Sequence, residues 1–491
     1  MTDVRPTAVI VLAAGEGTRM KSSTPKVLHT IGGRSLVDHA IRAARGTLPD
    51  HLTVIVRHQR DRVATHIAEV DPDVLIVDQD DVAGTGRAVE CGLEALPEGL
   101  SGTVVVTYGD VPLLTSETLT RLVEAHDETA AAVTVITATL ADPTGYGRII
   151  RGADGSVEAI VEQKDCTEQQ LAIREVNSGI YAFDAQVLRE SLAEVGTDNS
   201  QGEKYLTDVV GICKRRGLGV HAHLIQDLWQ TEGVNDKIQL ARLGAELNRR
   251  TVEQAMRDGA IVIDPATTWI DADVTIGPDT VIHPGTQIHG ASTIGSECVI
   301  GPDTTLKDVE VGDGASIVRT QAELATIGDG ATVGPFSYLR PGTRLGAKAK
   351  IGGFVETKNA DIRDGAKVPH LTYCGDATVG EGANIGAGTI FANYDGVTKG
   401  HTHVGAQSFV GSNSVIVAPC TIADGAYVAA GSAVVSDVGP GQLAVTRAQQ
   451  RNIDGWVARR RAGTKTDEAA RAALAAQDTP EPSADTEGTS R

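Results

Sequence analysis

DVTIGPDTVIHPGTQIHGASTIGSECVIGPDTTL, residues 273–306, carries an aliphatic side chain at every sixth position: Ile276, Ile282, Ile288, Ile294, Ile300 and Leu306. The period restarts through Ile327, Val333, Leu339, Leu345 and Ile351, and again through Val404, Val410, Ile416, Ile422, Val428 and Val434. Glycine often follows the aliphatic residue, as at Gly277, Gly295, Gly301, Gly346 and Gly411. This is a hexapeptide-repeat β-helix pattern. Each hexad forms one short flat face with its aliphatic side chain inward, and glycine permits the corners. Stacked coils then bury a continuous aliphatic column.

Upstream of the repeats, DKIQLARLGAELNRRTVEQAMRD (236–258) spaces Leu240, Leu243 and Leu247 helically and reads as a linking helix. Before it, short β-branched runs at Val9–Leu12, Thr53–Val56, Val74–Val77, Thr103–Thr107 and Ala132–Thr137 alternate with helical patterns. That rhythm predicts an α/β domain with a mostly parallel sheet, whose ligands sit beyond the carboxyl ends of the strands. The divisions expected are 1–235, a helical linker 236–262, the repeat domain 263–457, and a tail 458–491. The tail is polar and rich in Ala, Thr, Pro and acids, so disorder is expected there.

Composition excludes some classes. With 44 Lys+Arg against 64 Asp+Glu, the formal charge of -20 repels nucleic-acid backbones and anionic membranes. The six cysteines lie far apart without a CxxC pair, as suits reduced thiols. No run approaches the roughly 20 apolar residues of a membrane span, and Ala8–Ala14 reads as a buried first strand. A cytoplasmic protein is expected.

Two sets of residues carry chemistry. After the first strand, LAAGEGTRMKSSTPKVL (12–28) offers a glycine loop followed by Arg19 and Lys26, cations able to neutralise a triphosphate. It matches neither the dinucleotide fingerprint, where Met20 stands in place of the third small residue, nor a phosphate-loop Gly-Lys-Ser/Thr. The strand TVVVTYGDVPLL then puts Tyr108, Gly109 and Asp110 at its carboxyl end, where a carboxylate can hold Mg²⁺ against phosphate oxygens. In the repeat domain the register breaks at GGFVETKNADIRDGAKVPHLTYCGDA (352–377) and at IFANYDGVTKGHTHVG (390–405), and loops are expected at both. His370 in the first is an imidazole suited to taking a proton from an amine. His401 and His403 lack a Cys or carboxylate partner at metal-ligand spacing.

Together, LAAGEGTRM…PKVL and YGDVP resemble the sugar-1-phosphate nucleotidyltransferases. With the repeats behind them, residues 7–457 resemble the bifunctional bacterial N-acetylglucosamine-1-phosphate uridyltransferases and glucosamine-1-phosphate acetyltransferases. The resemblance implies a Rossmann-like nucleotidyltransferase domain followed by a left-handed parallel β-helix. It implies acetyl transfer from acetyl-CoA to glucosamine 1-phosphate. Uridylyl transfer from UTP to N-acetylglucosamine 1-phosphate would follow, with release of pyrophosphate, supplying peptidoglycan precursor. In the first domain, Leu12, Ala13, Ala14 and Gly15 would line the nucleotide, Gln79, Gly84 and Thr85 read uracil, and Arg19 and Lys26 face the phosphates. Gly147, Glu162 and Asn177 would contact the sugar phosphate, and Asp110 and Asn235 would hold one or two Mg²⁺ ions. The family commonly has His at Arg87, a departure that bears on local packing.

In the β-helix, the resemblance makes His370 the general base, Arg340 and Lys358 the phosphate cations, and Tyr373 and Asn384 sugar contacts. Ala387, Asn393, Tyr394, Lys399, Ser412, Ala430 and Arg447 would form the acetyl-CoA side, with Ser412 supporting the oxyanion. Related acyltransferases are homotrimers with sites between subunits, so Trp456 and Arg459–Arg461 could reach a neighbour. A monofunctional pyrophosphorylase with a structural β-helix, or a nucleotide-sensing scaffold, would not need both constellations.

Overall fold

The computed structural model describes residues 5–153, 155–199 and 201–477. Eleven strands belong to the first part of the chain: β1 Ala8–Leu12, β2 Thr30–Ile31, β3 Arg34–Ser35, β4 His51–Val56, β5 Leu75–Asp78, β6 Thr103–Tyr108, β7 Val133–Thr139, β8 Arg148–Arg151, β9 Val157–Val161, β10 Glu175–Asp184 and β11 Val220–Leu224. The main sheet runs β11-β7-β10-β6-β1-β4-β5, with β8 and β9 attached beside β10 and β2–β3 forming a separate hairpin. Strand β1 is parallel to β4 and β6, whereas β10 is antiparallel to both β6 and β7. The apolar run of β1 faces two ways: Ala8, Ile10 and Leu12 join one core, Val9 and Val11 the other. Burial on both faces is why it reads as continuous hydrophobicity rather than alternation.

The linking helix spans Lys237–Arg257; Asp236 caps it by accepting from the Ile238 and Gln239 N–H groups. Its length carries it onto the β-helix, where the Asn248 side chain donates to Thr268 O (2.8 Å) and accepts from Ile270 N (2.9 Å). From Ile261 the chain winds as a left-handed parallel β-helix. Hexad residues stack on their counterparts one coil on, as in Ile270 on Ile288 and Ile282 on Ile300, and form one buried column.

Two expectations are corrected. Residues 352–377 contain no loop: they form strands Glu356–Ile362, Lys367–His370 and Tyr373–Val379, because a slightly shorter coil shifts the aliphatic register without interrupting the ladder. The second break does make an excursion, since Tyr373 pairs with Ile390 but Ala377 with Thr402. Trp456–Arg460, which straddles the expected start of the tail, and Lys465–Gln477 within it are helical. EAARAALAAQ is rich in the best helix former, Asp467 accepts from Gly463 N at the helix start, and Arg471 pairs with Asp467 one turn on. Residues 478–491 of that tail lie outside the described residues.

Candidate active sites

At the carboxyl ends of β1, β4 and β6 lies a cavity of about 330 Å³, lined by Leu12, Ala13, Ala14, Gly15, Lys26, Gln79, Gly84, Thr85, Tyr108 and Asp110. The loop after β1 reaches it through Gly17, at φ 67°, where a Cβ would stand 2.5 Å from that of Lys26. Gly84, at φ 118°, lets the chain pass against the Lys204 backbone, whose carbonyl oxygen would be 2.3 Å from a Cβ. The Gln79 side-chain amide donates to the Val82 and Gly84 carbonyls, and Thr85 Oγ1 accepts from Leu206 N. These bonds hold the 79–85 segment against the wall of the cavity. Arg87 is held away by Asp80, Glu90 and Glu94, so the family departure is absorbed as surface ion pairing.

A second cavity, also about 330 Å³, shares Tyr108 and Asp110 and adds Arg19, Gly145, Tyr146, Ser178 and Asn235 among its walls. Lys26 is ion-paired to Asp110, and Arg19 donates to the Asn235 amide oxygen at 2.8 Å. Two hard oxygen donors therefore meet two cations at the junction of the cavities. Among the described residues no group of three His, Cys, Asp or Glu could hold a metal ion. A pair of protein oxygens completed by phosphate oxygens is the arrangement that suits Mg²⁺. Glu162 lies against Gly147, and burial pushes its carboxyl above the usual range. Asn177 is buried, accepting from Tyr181 Oη at 2.9 Å and Gly179 N. That leaves it shaping the irregularity of β10, next to Ser178 of the second cavity.

On the β-helix, Arg340 N donates to Thr357 O, which places Arg340 and Lys358 on adjacent coils of one ladder, and Lys358 pairs with Gly375 on the next. Gly375 is needed there: a Cβ would come within 2.3 Å of Tyr373 Oη, so the ring folds over it. Lys399 belongs with this cluster rather than only with the acetyl-CoA side, since its ammonium beside Lys358, with Arg340 adding to it, holds Lys358 below the usual lysine range. The Asn393 side-chain amide donates to Asp376 and, at 3.5 Å, to Tyr373. Tyr394 closes the excursion by bridging to Lys399, inside which Asp395 accepts from the Thr398 and Val397 N–H groups and sits at about 2.

His370 is exposed at the end of its strand; its carbonyl accepts from Gly388 N, next to Ala387. Asn384 pairs with Lys367 on the same face. Ala387 O accepts from Asn413 N and Ser412 O from Gly431 N, so Ala387, Ser412 and Ala430 mark one corner over successive coils. Arg447 reaches Gly431 there. The sequence pattern did not single out Arg57, His58 and Glu203 in the first cavity, Tyr146 in the second or Asp376 on the β-helix. The first two follow β4 directly, so the strand-end rule that found Asp110 would have found them.

Residues 9–164 match the MobA-like NTP transferase domain family. Residues 273–308 match the bacterial transferase hexapeptide family (six repeats), and 402–436 the hexapeptide repeat of succinyl-transferase. The chain is 58% identical over 468 residues, 95% of each chain, to a protein of Kineococcus radiotolerans named bifunctional protein GlmU. Relatives with the same name in Corynebacterium glutamicum and Mycolicibacterium vanbaalenii are each 56% identical, covering 95% and 94% of this chain and 97% and 94% of their own.

Proposed function

The chain belongs to the bifunctional GlmU family, and from that premise we propose that its uridylyl transfer occurs in the paired cavities and its acetyl transfer on the Arg340–Lys358–His370 ladder. The enzyme makes UDP-N-acetylglucosamine for the cell wall, as acetyltransferase and uridyltransferase in one chain. Acetyl-CoA, UTP and the sugar phosphates are its substrates.

The observation that carries the uridylyl assignment is the meeting of Lys26 and Arg19 with Asp110 and Asn235 where the cavities join. Leu12–Gly15, Gln79, Gly84 and Thr85 hold the nucleotide while the Gly147, Glu162 and Asn177 region shapes the sugar side. A sugar-phosphate oxygen attacks the α-phosphorus in line and pyrophosphate leaves, with Lys26 and Arg19 offsetting charge on the phosphoryl oxygens. One or two Mg²⁺ ions, held by Asp110 and Asn235, supply further neutralisation when bound.

In acetyl transfer, Arg340 and Lys358 hold the acceptor phosphate, and Tyr373 and Asn384 the sugar. The amine attacks the thioester carbonyl, its proton passes to His370, and the C–S bond breaks to release CoA. Ser412 donates to the oxyanion, and the Ala387, Asn393, Tyr394, Ala430 and Arg447 corner holds the coenzyme. His370 stands on an outer surface, so a homotrimer that brings a second subunit against it would complete the site, with Trp456 and Arg459–Arg461 as groups that subunit would bring. Six free cysteines suit a cytoplasmic location. No helix among the described residues is long and apolar enough to cross a membrane.

The test is to supply glucosamine 1-phosphate, acetyl-CoA, UTP and Mg²⁺ and follow CoA, pyrophosphate and UDP-sugar separately. Pyrophosphate without CoA, when N-acetylglucosamine 1-phosphate is also supplied, would overturn the two-site reading; loss of pyrophosphate alone on chelation supports the metal assignment.

A further inference from the structure

The hairpin that follows Lys26 does not end in its own domain. Its Gly32-Gly33 turn, at φ 55° and 82°, is a tight turn open only to such residues, and it is set against the first coil of the β-helix. Gly32 O accepts from Ala272 N at 2.9 Å, and a Cβ on Gly33 would lie 2.8 Å from the Asp271 carboxylate. Beside the turn, Arg34 grips Asp273 with two donors, one of them Nε at 3.0 Å. The pairing holds the Asp273 carboxyl below the usual range. The hairpin is also short and stiff on its inner side: His29 N donates to Lys26 O at 3.2 Å, Leu36 N to His29 O at 2.9 Å, and Ile31 packs in a small core with Met20, Leu113 and Val234.

We infer that Arg34 and Asp273 are positioning residues for uridylyl transfer: the β-helix anchors the hairpin, and the hairpin sets where Lys26 stands against the phosphates. The inference rests on the uridylyl reading of the paired cavities. An ion pair this exposed, with side chains 20% and 40% accessible, adds little to stability. A bidentate guanidinium-carboxylate contact does fix geometry. Met20 and Val234 flank Arg19 and Asn235 in sequence, so the same small core ties the hairpin to the other half of the phosphate and metal constellation. The sugar-nucleotide site thus depends on the coil that begins the other domain.

The test uses the full chain, with N-acetylglucosamine 1-phosphate, UTP and Mg²⁺, in Arg34→Ala, Asp273→Ala and the reversed pair Arg34→Asp/Asp273→Arg. Misplacing a catalytic cation by a fraction of an ångström is expected to lower kcat by about tenfold in either single variant, with KM for UTP within about twofold. CoA release should be unchanged, and the reversed pair should regain most of the lost kcat. In a Lys26→Ala background, Asp273→Ala should cost clearly less than its roughly tenfold in the parent, because most of its effect passes through Lys26, and a full tenfold loss there would overturn the inference. Parent kcat in both single variants, a change confined to KM, an equal fall in CoA release, or no recovery on reversal would each overturn the inference. A parent enzyme that releases no pyrophosphate would instead remove the uridylyl reading on which it stands.

Discussion

The constellation proposed for uridylyl transfer lines a pair of half-open cavities, whereas that proposed for acetyl transfer is laid out along a ladder. In the α/β domain, loops from the carboxyl ends of parallel strands converge, so Leu12 is 7% exposed and Lys26 shares a walled cavity with Asp110. In the β-helix, equivalent residues repeat at the spacing of paired strands, about 4.8 Å, and Arg340, Lys358 and Gly375 stand one above another on an outer face. A sheet edge makes a pocket from one chain; a solenoid face offers a row of groups that a second surface must cover. The two halves should therefore fail independently under substitution, and differ in how much rearrangement each tolerates.

The sharpest break is Asp110→Ala, which removes the carboxylate that Lys26 holds and that is assigned to the metal. Pyrophosphate release should fall by about 10³-fold or more while CoA release stays near the parent rate. His370→Ala is the converse: CoA release should fall by about 10²- to 10⁴-fold, the usual worth of a positioned base, with uridylyl transfer to N-acetylglucosamine 1-phosphate intact. Both are read by following the two products separately in one preparation. If either variant lost both activities alike, the sites would not be separate; parent-rate CoA release by His370→Ala would return the imidazole to a surface role.

A matched pair of glycines sharpens the comparison. At Gly84→Ala the new methyl meets the Lys204 backbone, which is bonded to Ala83 and Gly86, and a φ of 118° adds strain. KM for UTP should rise at least about tenfold, since the whole uracil-side loop must shift. At Gly375→Ala the methyl meets the far end of the Tyr373 side chain, which can swing outward. KM for glucosamine 1-phosphate should rise only about threefold. Steady-state kinetics on the two variants decide it, and the reverse order of effects would refute the claim that the open ladder is the more tolerant site.

Much of this was legible from residue pattern, for physical reasons that differ by region. The hexad period fixes which side chains enter the column, because each coil repeats one local geometry. Glycine, carboxylate and cation motifs are likewise local, so Asp110 could be placed at a strand end and Gly15 and Lys26 in the loop that follows the first strand. What escaped was anything decided by neighbours distant in sequence. Lys399 reads as part of the ANYDG loop, yet the bridge from Tyr394 turns it back onto Lys358. The break at 352–377 looked like a loop because a shortened coil and an insertion disturb a six-residue period in the same way. Arg34 shows no motif at all; only the fold brings it to Asp273. The helix Lys465–Gln477 was hidden by polarity, which obscured its alanine content.

The smallest effect concerns charge on the open ladder. The Lys399 ammonium and then Arg340 depress the Lys358 pKa, so in the free enzyme Lys358 loses its proton at a lower pH than an ordinary lysine. A bound phosphate reverses the sign, since it stabilises the ammonium, and binding should take up a fraction of a proton near the depressed value. Between the phosphate's second ionisation, about 6, and that pH all the cations are charged and affinity is flat; as pH rises through it, Lys358 loses its charge and affinity falls, starting lower than the roughly 10.4 of an ordinary lysine would allow. N-acetylglucosamine 1-phosphate is the clean probe, because its acylated nitrogen does not titrate. Calorimetry on Asp110→Ala enzyme, in which binding in the first domain should be weakened, should show Kd rising about fivefold across this limb. Adding Lys399→Met should weaken binding at low pH by removing a cation, yet move the limb to higher pH by relieving Lys358. A limb that stays in place would show that the two ammonium groups do not share a phosphate site, and the ladder would then lose Lys399.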